Sequence, residues 1–377
     1  QSVLKNVVGG AEGTEATRGQ VAQMVYNAID TPLMDRSTYG ANAEYVIYNG
    51  KGDYDYETLL TRDLGVKKFS GIVTKNSVTS LAGAETIDTD EEATIEVDFD
   101  KNDDYYNYEV ETIDTIYVGE SNAEDMLGKY VTAYVKEADR TDEYEVISIA
   151  ESSRNKVTSF TLDMYDSISS DAKTVYYYKS ENDRNTTSVK VDDNAAVIFN
   201  GVAYNGDVAD VFDAQGLVYK NSTWSGKVTL VDNDTTSGAD VVFVEIGAPA
   251  VVDEVSASGK VSFKNAPSIF TDSISLDFDD EDNTQLIKLT KDGKAIEYTE
   301  LKEWDVLSVL WNPDNDYYDV KVIGSSAVEG SVTSRGNSDT SADGSKYTIN
   351  GTEYDLAENY YYNGNMNPGA TGVFYID

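Results

Sequence analysis

One arrangement of residues recurs along this chain and restricts it to pleated strands. Tyr144-Glu145-Val146-Ile147-Ser148-Ile149 leads through a short spacer to Val157-Thr158, and Tyr318-Asp319-Val320-Lys321-Val322-Ile323 leads likewise to Val332-Thr333. Upstream of each lies a further apolar run, Val131 to Val135 and Val306 to Leu310, closed by an acidic turn at Asp139 to Asp142 and Asp314 to Asp316. Apolar and polar side chains alternate in these segments, so an extended backbone turns one set to a core and the other to water, which a helix of 3.6 residues per turn does not do. The recurrence predicts diverged copies of one β-module.

A second repeated pattern, Gly-x-Val-Thr/Ser, occurs at Gly71-Ile72-Val73-Thr74, Gly226-Lys227-Val228-Thr229, Gly259-Lys260-Val261-Ser262 and Gly330-Ser331-Val332-Thr333 and reads as a strand start. Two hairpins are nearly explicit. Asn200-Gly201 and Asn350-Gly351 each sit between alternating runs, and Asn-Gly is the pair best suited to a type I′ turn; Asp292-Gly293 is a third candidate. Turn signals about 8 to 15 residues apart fit small barrels or sandwiches rather than βαβ units. The expected fold class is therefore mainly β, tandem small β-barrel or β-sandwich modules with one short N-terminal α-helix. The expected modules are 41–154, 155–257 and 258–329. Residues 330–377 form an incomplete fourth module or exchanged strands, since the sequence stops in mid-strand at Phe374-Tyr375-Ile376-Asp377. No long flexible linker separates them.

The helix is predicted over Thr17 to Ile29. Thr17 and Gln20 have the spacing of a capping box, and Val21, Met24, Val25, Ala28 and Ile29 share one face before Pro32 stops the run. Thr17-Arg18 leading into an Ala/Val-rich helix resembles the closing third of an S-layer homology repeat. The opening half of such a repeat is missing, and Gly19-Gln20 stands where the family has Ala-Glu. The strand-rich remainder, with Tyr56 to Thr61 running through Gly71-Ile72-Val73-Thr74 and Gly226 to Val242, looks like the region that follows these repeats in surface proteins of Gram-positive anaerobes. The resemblance implies that 1–40 is a remnant of an envelope-anchoring segment, that Arg18 contacts anionic cell-wall polymer, and that the work of the chain is structural and extracellular.

Lys and Arg number 29 against 68 Asp and Glu, a formal charge of −39. Such a surface repels nucleic acid and anionic membrane, and it needs screening when subunits assemble. There is no Cys and no His, which removes disulfides, thiolate metal sites, His-ligated zinc and His-based triads. With no apolar stretch long enough to span a bilayer, no membrane insertion is expected. A chain opening at Gln1 reads as a processed or partial product that a signal sequence and earlier anchoring repeats once preceded.

Oxygen-rich turns are the remaining place for chemistry. Asp232-Asn233-Asp234-Thr235-Thr236-Ser237-Gly238-Ala239-Asp240 offers carboxylates at alternate positions, then a Gly, then another carboxylate, as calcium loops do, without the Asp-Gly and closing Glu of an EF-hand. Asp232, Asp234 and Asp240 are the candidate ligands and calcium the candidate ion; no cofactor is required. The denser runs Asp98 to Asp104 and Asp277 to Asp282 read as hydrated strand ends. Two carboxylates about 5 to 10 Å apart would suffice for a glycosidase. However, Trp224, Trp304 and Trp311 fall in different elements and form no sugar platform, so no enzyme is expected. Tyr105 to Tyr108, Tyr176 to Tyr178 and Tyr360 to Tyr362 offer contact surface, one member of each set turned inward. A buried Lys–Asn or Lys–Asp isopeptide link is a further option for which spacing selects no pair. The function expected is a structural subunit of a bacterial surface assembly, a homo-oligomeric lattice or filament. The alternative is an adhesin or carbohydrate-binding protein.

Overall fold

The computed structural model describes residues 3–9, 13, 15–29, 31–38, 40, 44–47, 57–83, 92–103, 110, 112–138, 142–180, 182–213, 216–220, 225–235, 238–264, 268–269, 272–273, 275–279, 285–313, 316–324, 326–335, 346–355 and 366–376. The fold is mainly β with one short N-terminal helix. The chain divides into two compact units, Gln1–Ser77 with Asp90–Asn155, and Val78–Thr89 with Lys156–Asp377.

The first unit holds a closed barrel of Val66–Lys75, Thr94–Phe99, Thr115–Tyr117, Tyr130–Glu137 and Glu143–Glu151. Alternation does the sorting: Val131, Ala133 and Val135 are fully buried while Tyr130, Thr132 and Tyr134 between them are half-buried. They meet Phe69, Val73, Ile95, Ile116 and Val146 in one core. The same unit contains the helix Arg18–Ile29, capped as expected, with Gln20 N–H donating to Thr17 Oγ1 (3.3 Å) and Thr17 N–H to Gln20 Oε1 (2.8 Å). Its apolar face is only partly covered. Val21 and Val25 stay 45% and 54% exposed, and polar stitches tie the helix to residues 3–8, Asn27 Nδ2 reaching Val3 O and Lys5 O and Gln20 Nε2 reaching Val8 O.

The second unit is organised by a 13-stranded sheet whose main strand, Ala239–Val255, is 17 residues long. Its first half pairs antiparallel with Ser225–Asp232 and parallel with Thr187–Phe199; its second half pairs with Val306–Asn312 and Lys260–Phe263. Two cores lie along it. Val242, Val244 and Ile246 belong to one with Phe160, Leu162, Phe199 and Phe212, while Ala248, Ala250 and Val252 belong to the next with Leu289, Leu307, Val309 and Val320.

Strand pairing makes the internal repeat explicit. A first strand pairs antiparallel with the leading strand of a hairpin, and the returning strand of that hairpin pairs parallel with an earlier strand. In the barrel these are Val66–Lys75, Tyr130–Glu137, Glu143–Glu151 and Thr115–Tyr117. The next set is Lys156–Thr161, Ser225–Asp232, the first half of Ala239–Val255 and Thr187–Phe199. The third is the second half of Ala239–Val255, Val306–Asn312, Tyr317–Gly324 and Leu286–Lys291. A fourth begins with Ser326–Arg335, in a four-stranded sheet ordered Thr352–Asp355, Lys346–Ile349, Ser326–Arg335, Thr371–Ile376. In sequence each returning strand is followed by the first strand of the next copy, and in Ala239–Val255 one strand serves as both.

All three predicted turns form two-residue loops, with both residues of Asn200-Gly201, Asp292-Gly293 and Asn350-Gly351 at positive φ. The Gly-x-Val-Thr/Ser pattern needs correction. Gly71 and Gly330 lie inside strands, not at their starts. A Cβ on Gly71 would lie 2.3 Å from Asp98 O, and one on Gly226 2.1 Å from Glu245 O, so these glycines mark points where a neighbouring backbone crosses too closely for any side chain. The cores therefore change over at Gly247, within one strand, ahead of the expected division at 257/258. The division expected at 329/330 likewise falls inside Ser326–Arg335.

Candidate metal centre

Asp232, Asp234 and Asp240 come together where the hairpin of the second copy turns. All three are half-buried, and one oxygen from each lies within 4.8 Å of the others. Asp232 ends the strand Ser225–Asp232 and Asp240 is the second residue of the returning strand, so the antiparallel register brings both to one end of the sheet. Thr235, at φ 69, turns the chain, and its N–H donates to Asp232 Oδ1 at 3.1 Å. The N–H of buried Asn233 donates to Asp240 Oδ2 at 2.8 Å. The turn is held by its own carboxylates.

Two residues that sequence reasoning did not single out complete the setting. Lys156 Nζ lies 2.7 Å from Asp232 Oδ2, from the neighbouring strand. Asp192 stands on Thr187–Phe199 where the parallel register with the main strand slips between Val191 and Ala196, and Gly238 fits against it only because a Cβ would lie 2.8 Å from Asp192 N. Burial raises the Asp240 pKa above the ordinary carboxylate value, the Asn233 N–H opposes this, and the charges of Asp234, Asp232 and Asp192 add to the rise. Four carboxylates, Asp192 included, against one amine leave a local excess of negative charge, and the hard oxygens of Asp232, Asp234 and Asp240 could hold a metal ion.

The sign of the pH effect follows. A carboxyl whose pKa is raised on folding binds more protons in the folded than in the unfolded chain, so its contribution is most favourable below the ordinary carboxylate value and is lost as pH rises through the raised one. In chelator, Asp240→Asn is expected to flatten that loss, because the amide keeps an acceptor for Asn233 N–H without the charge. Thermal melts from acid to neutral pH check this; parallel curves for the two proteins refute it.

Other candidates resolve differently. Arg18 is exposed at the first position of its helix. In the run Asp98 to Asp104, Asp100 is a structural anchor: it accepts from Asn102 N–H (3.0 Å) and Tyr130 Oη (2.8 Å) and lies 3.5 Å from Arg154, whose guanidinium covers the Tyr130 ring. These bonds, the one from Asn102 N–H first, lower its pKa. Asp277 pairs with Lys260 at 3.3 Å, and residues 280–282 lie outside the described residues. So do Trp224, Tyr105 to Tyr108 and Tyr360 to Tyr362. Of the third Tyr set, Tyr177 is buried and stacks on Phe160 at 4.5 Å, with Tyr176 and Tyr178 half-buried. Trp311 lies against Tyr318 and donates to Asp316 Oδ1, while Trp304 is stacked on Tyr375.

The isopeptide option can be tested at Lys264, whose Nζ lies 2.8 Å from Asp253 and 2.7 Å from Glu303. Those carboxylates are about half exposed, and their hydrogen bonds raise the Lys264 pKa, Asp253 foremost. The amine is held protonated, as an ion pair needs and an attacking nucleophile does not. No protein-family model matches the chain, and no curated protein matches it in sequence.

Proposed function

We propose that the chain is a structural subunit of a bacterial extracellular assembly, an S-layer lattice or surface filament, that self-associates through its β-modules. The observation that carries this reading is the strand Ala239–Val255, which ends one β-copy and begins the next within the second unit. Copies that share a strand have no free hinge between them, and such stiffness is what an assembling subunit needs. The charge of −39 suits a surface that stays soluble until screened. No described helix is long and apolar enough to cross a membrane. On the same reading the helix Arg18–Ile29 belongs to an anchoring region, with Arg18 facing cell-wall polymer.

Calcium is the ion proposed for Asp232, Asp234 and Asp240, since three converging carboxylates suit a hard cation with a flexible oxygen shell. Purified chain imaged by negative stain in millimolar calcium is expected to form regular sheets or fibres, and excess chelator is expected to reduce them. A chain that remains monomeric by sedimentation at every concentration, with and without calcium, overturns the proposal.

A further inference from the structure

The turn that enters the leading strand of the hairpin is built in the same way in three copies. Gly128 N–H donates to Val73 O at 2.8 Å and Val73 N–H to Lys129 O at 3.1 Å. Trp304 N–H donates to Val252 O at 2.9 Å and Val252 N–H to Asp305 O at 3.0 Å. Gly369 N–H donates to Val332 O at 2.8 Å and Val332 N–H to Ala370 O at 2.9 Å. Each of these valines is fully buried, on a strand whose register with its other neighbour slips just after it. The corresponding stretch of the second copy, ahead of Ser225, lies outside the described residues.

The backbone of this turn favours glycine. Its first donor stands at φ 74 in Gly128, 75 in Trp304 and 94 in Gly369, a left-handed conformation that glycine adopts freely and a bulky residue only under strain. Two copies use glycine and the third uses the largest side chain of all, so the ring and not the backbone accounts for a tryptophan here. Lys264 Nζ lies 3.9 Å from the centre of that ring, and the Tyr375 ring is stacked on it at 4.7 Å with 8° between the planes. The Lys264 side chain is only 7% exposed, and Asp253 and Glu303 place its ammonium.

These contacts cross a break between copies. Trp304, Lys264, Asp253 and Glu303 belong to the third copy, whereas Tyr375 lies on Thr371–Ile376 of the fourth. The second and third copies share Ala239–Val255, but Tyr317–Gly324 ends the third in the 13-stranded sheet and Ser326–Arg335 begins the fourth in a separate four-stranded one. No described strand pairs across that step. We infer that Trp304 is a clasp between the third and fourth copies, an indole braced by Lys264 that grips Tyr375 and does by stacking what the shared strand does one copy earlier. A stacked aromatic pair and a cation over an indole each attract beyond the area they bury. The clasp is a property of the single chain, so its test is independent of self-association.

Because the chain has no cysteine, Lys294→Cys with Thr352→Cys places one nitroxide on an exposed position of each copy. With labelled chain diluted in unlabelled chain, pulsed electron resonance is expected to give one narrow distance distribution. Trp304→Gly, which supplies the residue that two other copies use, and Tyr375→Ala are each expected to broaden it about two-fold, because copies joined by neither strand nor clasp move independently. The two changes combined are expected to broaden it no further, and Tyr375→Phe, which keeps the stack, to leave it narrow. Circular dichroism and the main melting transition are expected to stay unchanged in all of them. A distribution that stays narrow in both Trp304→Gly and Tyr375→Ala, or that is already broad before either change, overturns the clasp and leaves Trp304 a strained turn residue.

Discussion

Asn200→Ala is expected to lower the unfolding free energy of the second unit by about 4 kcal/mol, more than any exposed substitution in the chain. Asn200 is fully buried, yet its side chain makes three hydrogen bonds: Nδ2 donates to Ile246 O at 2.9 Å and to Trp311 O at 2.6 Å, and Oδ1 accepts from Ile246 N–H at 2.8 Å. Removing it strands buried backbone groups, each costing about 1 to 3 kcal/mol. An alanine held at φ 44 adds about 1 kcal/mol. Asn350 is the internal control. It occupies the same type I′ turn in the fourth copy and bonds the main chain in the same way, Nδ2 to Glu329 O and Oδ1 from Ser331 N–H, but in contact with solvent. Water replaces those partners, so Asn350→Ala is expected to cost about 1 kcal/mol. Urea unfolding of both variants checks the difference; equal losses would mean that burial is not what makes Asn200 expensive to replace.

That pair shows which parts of the fold were legible. Asn-Gly and Asp-Gly turns are local: two residues at positive φ set the loop, and the flanking alternation sets the faces, so the hairpins at 200, 292 and 350 could be read directly. Recurrence of the strand pairs at Tyr144 and Tyr318 was legible for the same reason. The glycines were not. Gly71, Gly226 and Gly330 look like punctuation in sequence, but each answers to a backbone or side chain far along the chain, Asp98, Glu245 and Asn350, and no window around the glycine contains that neighbour.

The candidate metal centre divides in the same way. Asp232, Asp234 and Asp240 lie within one turn, and their convergence follows from hairpin register alone. Asp192 reaches them only through a slipped parallel pairing with the main strand, and Lys156 only through the neighbouring strand, both set by tertiary contacts. The uncovered side of Arg18–Ile29 is a further limit, since periodicity predicts an apolar face and says nothing about how much of it is covered.

Gly247→Val is expected to destabilise the second unit by about 3 kcal/mol and to weaken two cores together. A Cβ at Gly247 would lie 2.6 Å from Leu310 Cδ2 and 2.9 Å from Val309 O; the Leu310 tip can turn aside, but the carbonyl belongs to a paired strand and moves only with its ladder. Forcing branched bulk into such a position costs about 1 to 3 kcal/mol, and here the displaced segment carries Ile246 into one core and Ala248 into the other. Because both cores hang on one continuous strand, the native unit is expected to melt in a single cooperative step, and Gly247→Val to shift that step without splitting it. Gly293→Ala, at an open turn position with φ 75 and no atom within 4 Å of the added Cβ, isolates the conformational part, about 1 kcal/mol. Calorimetry distinguishes the cases. A second unit that melts in two separate transitions of its own would mean that the strand Ala239–Val255 does not couple its two cores, and the stiffness argued for the assembling subunit would lose its structural basis.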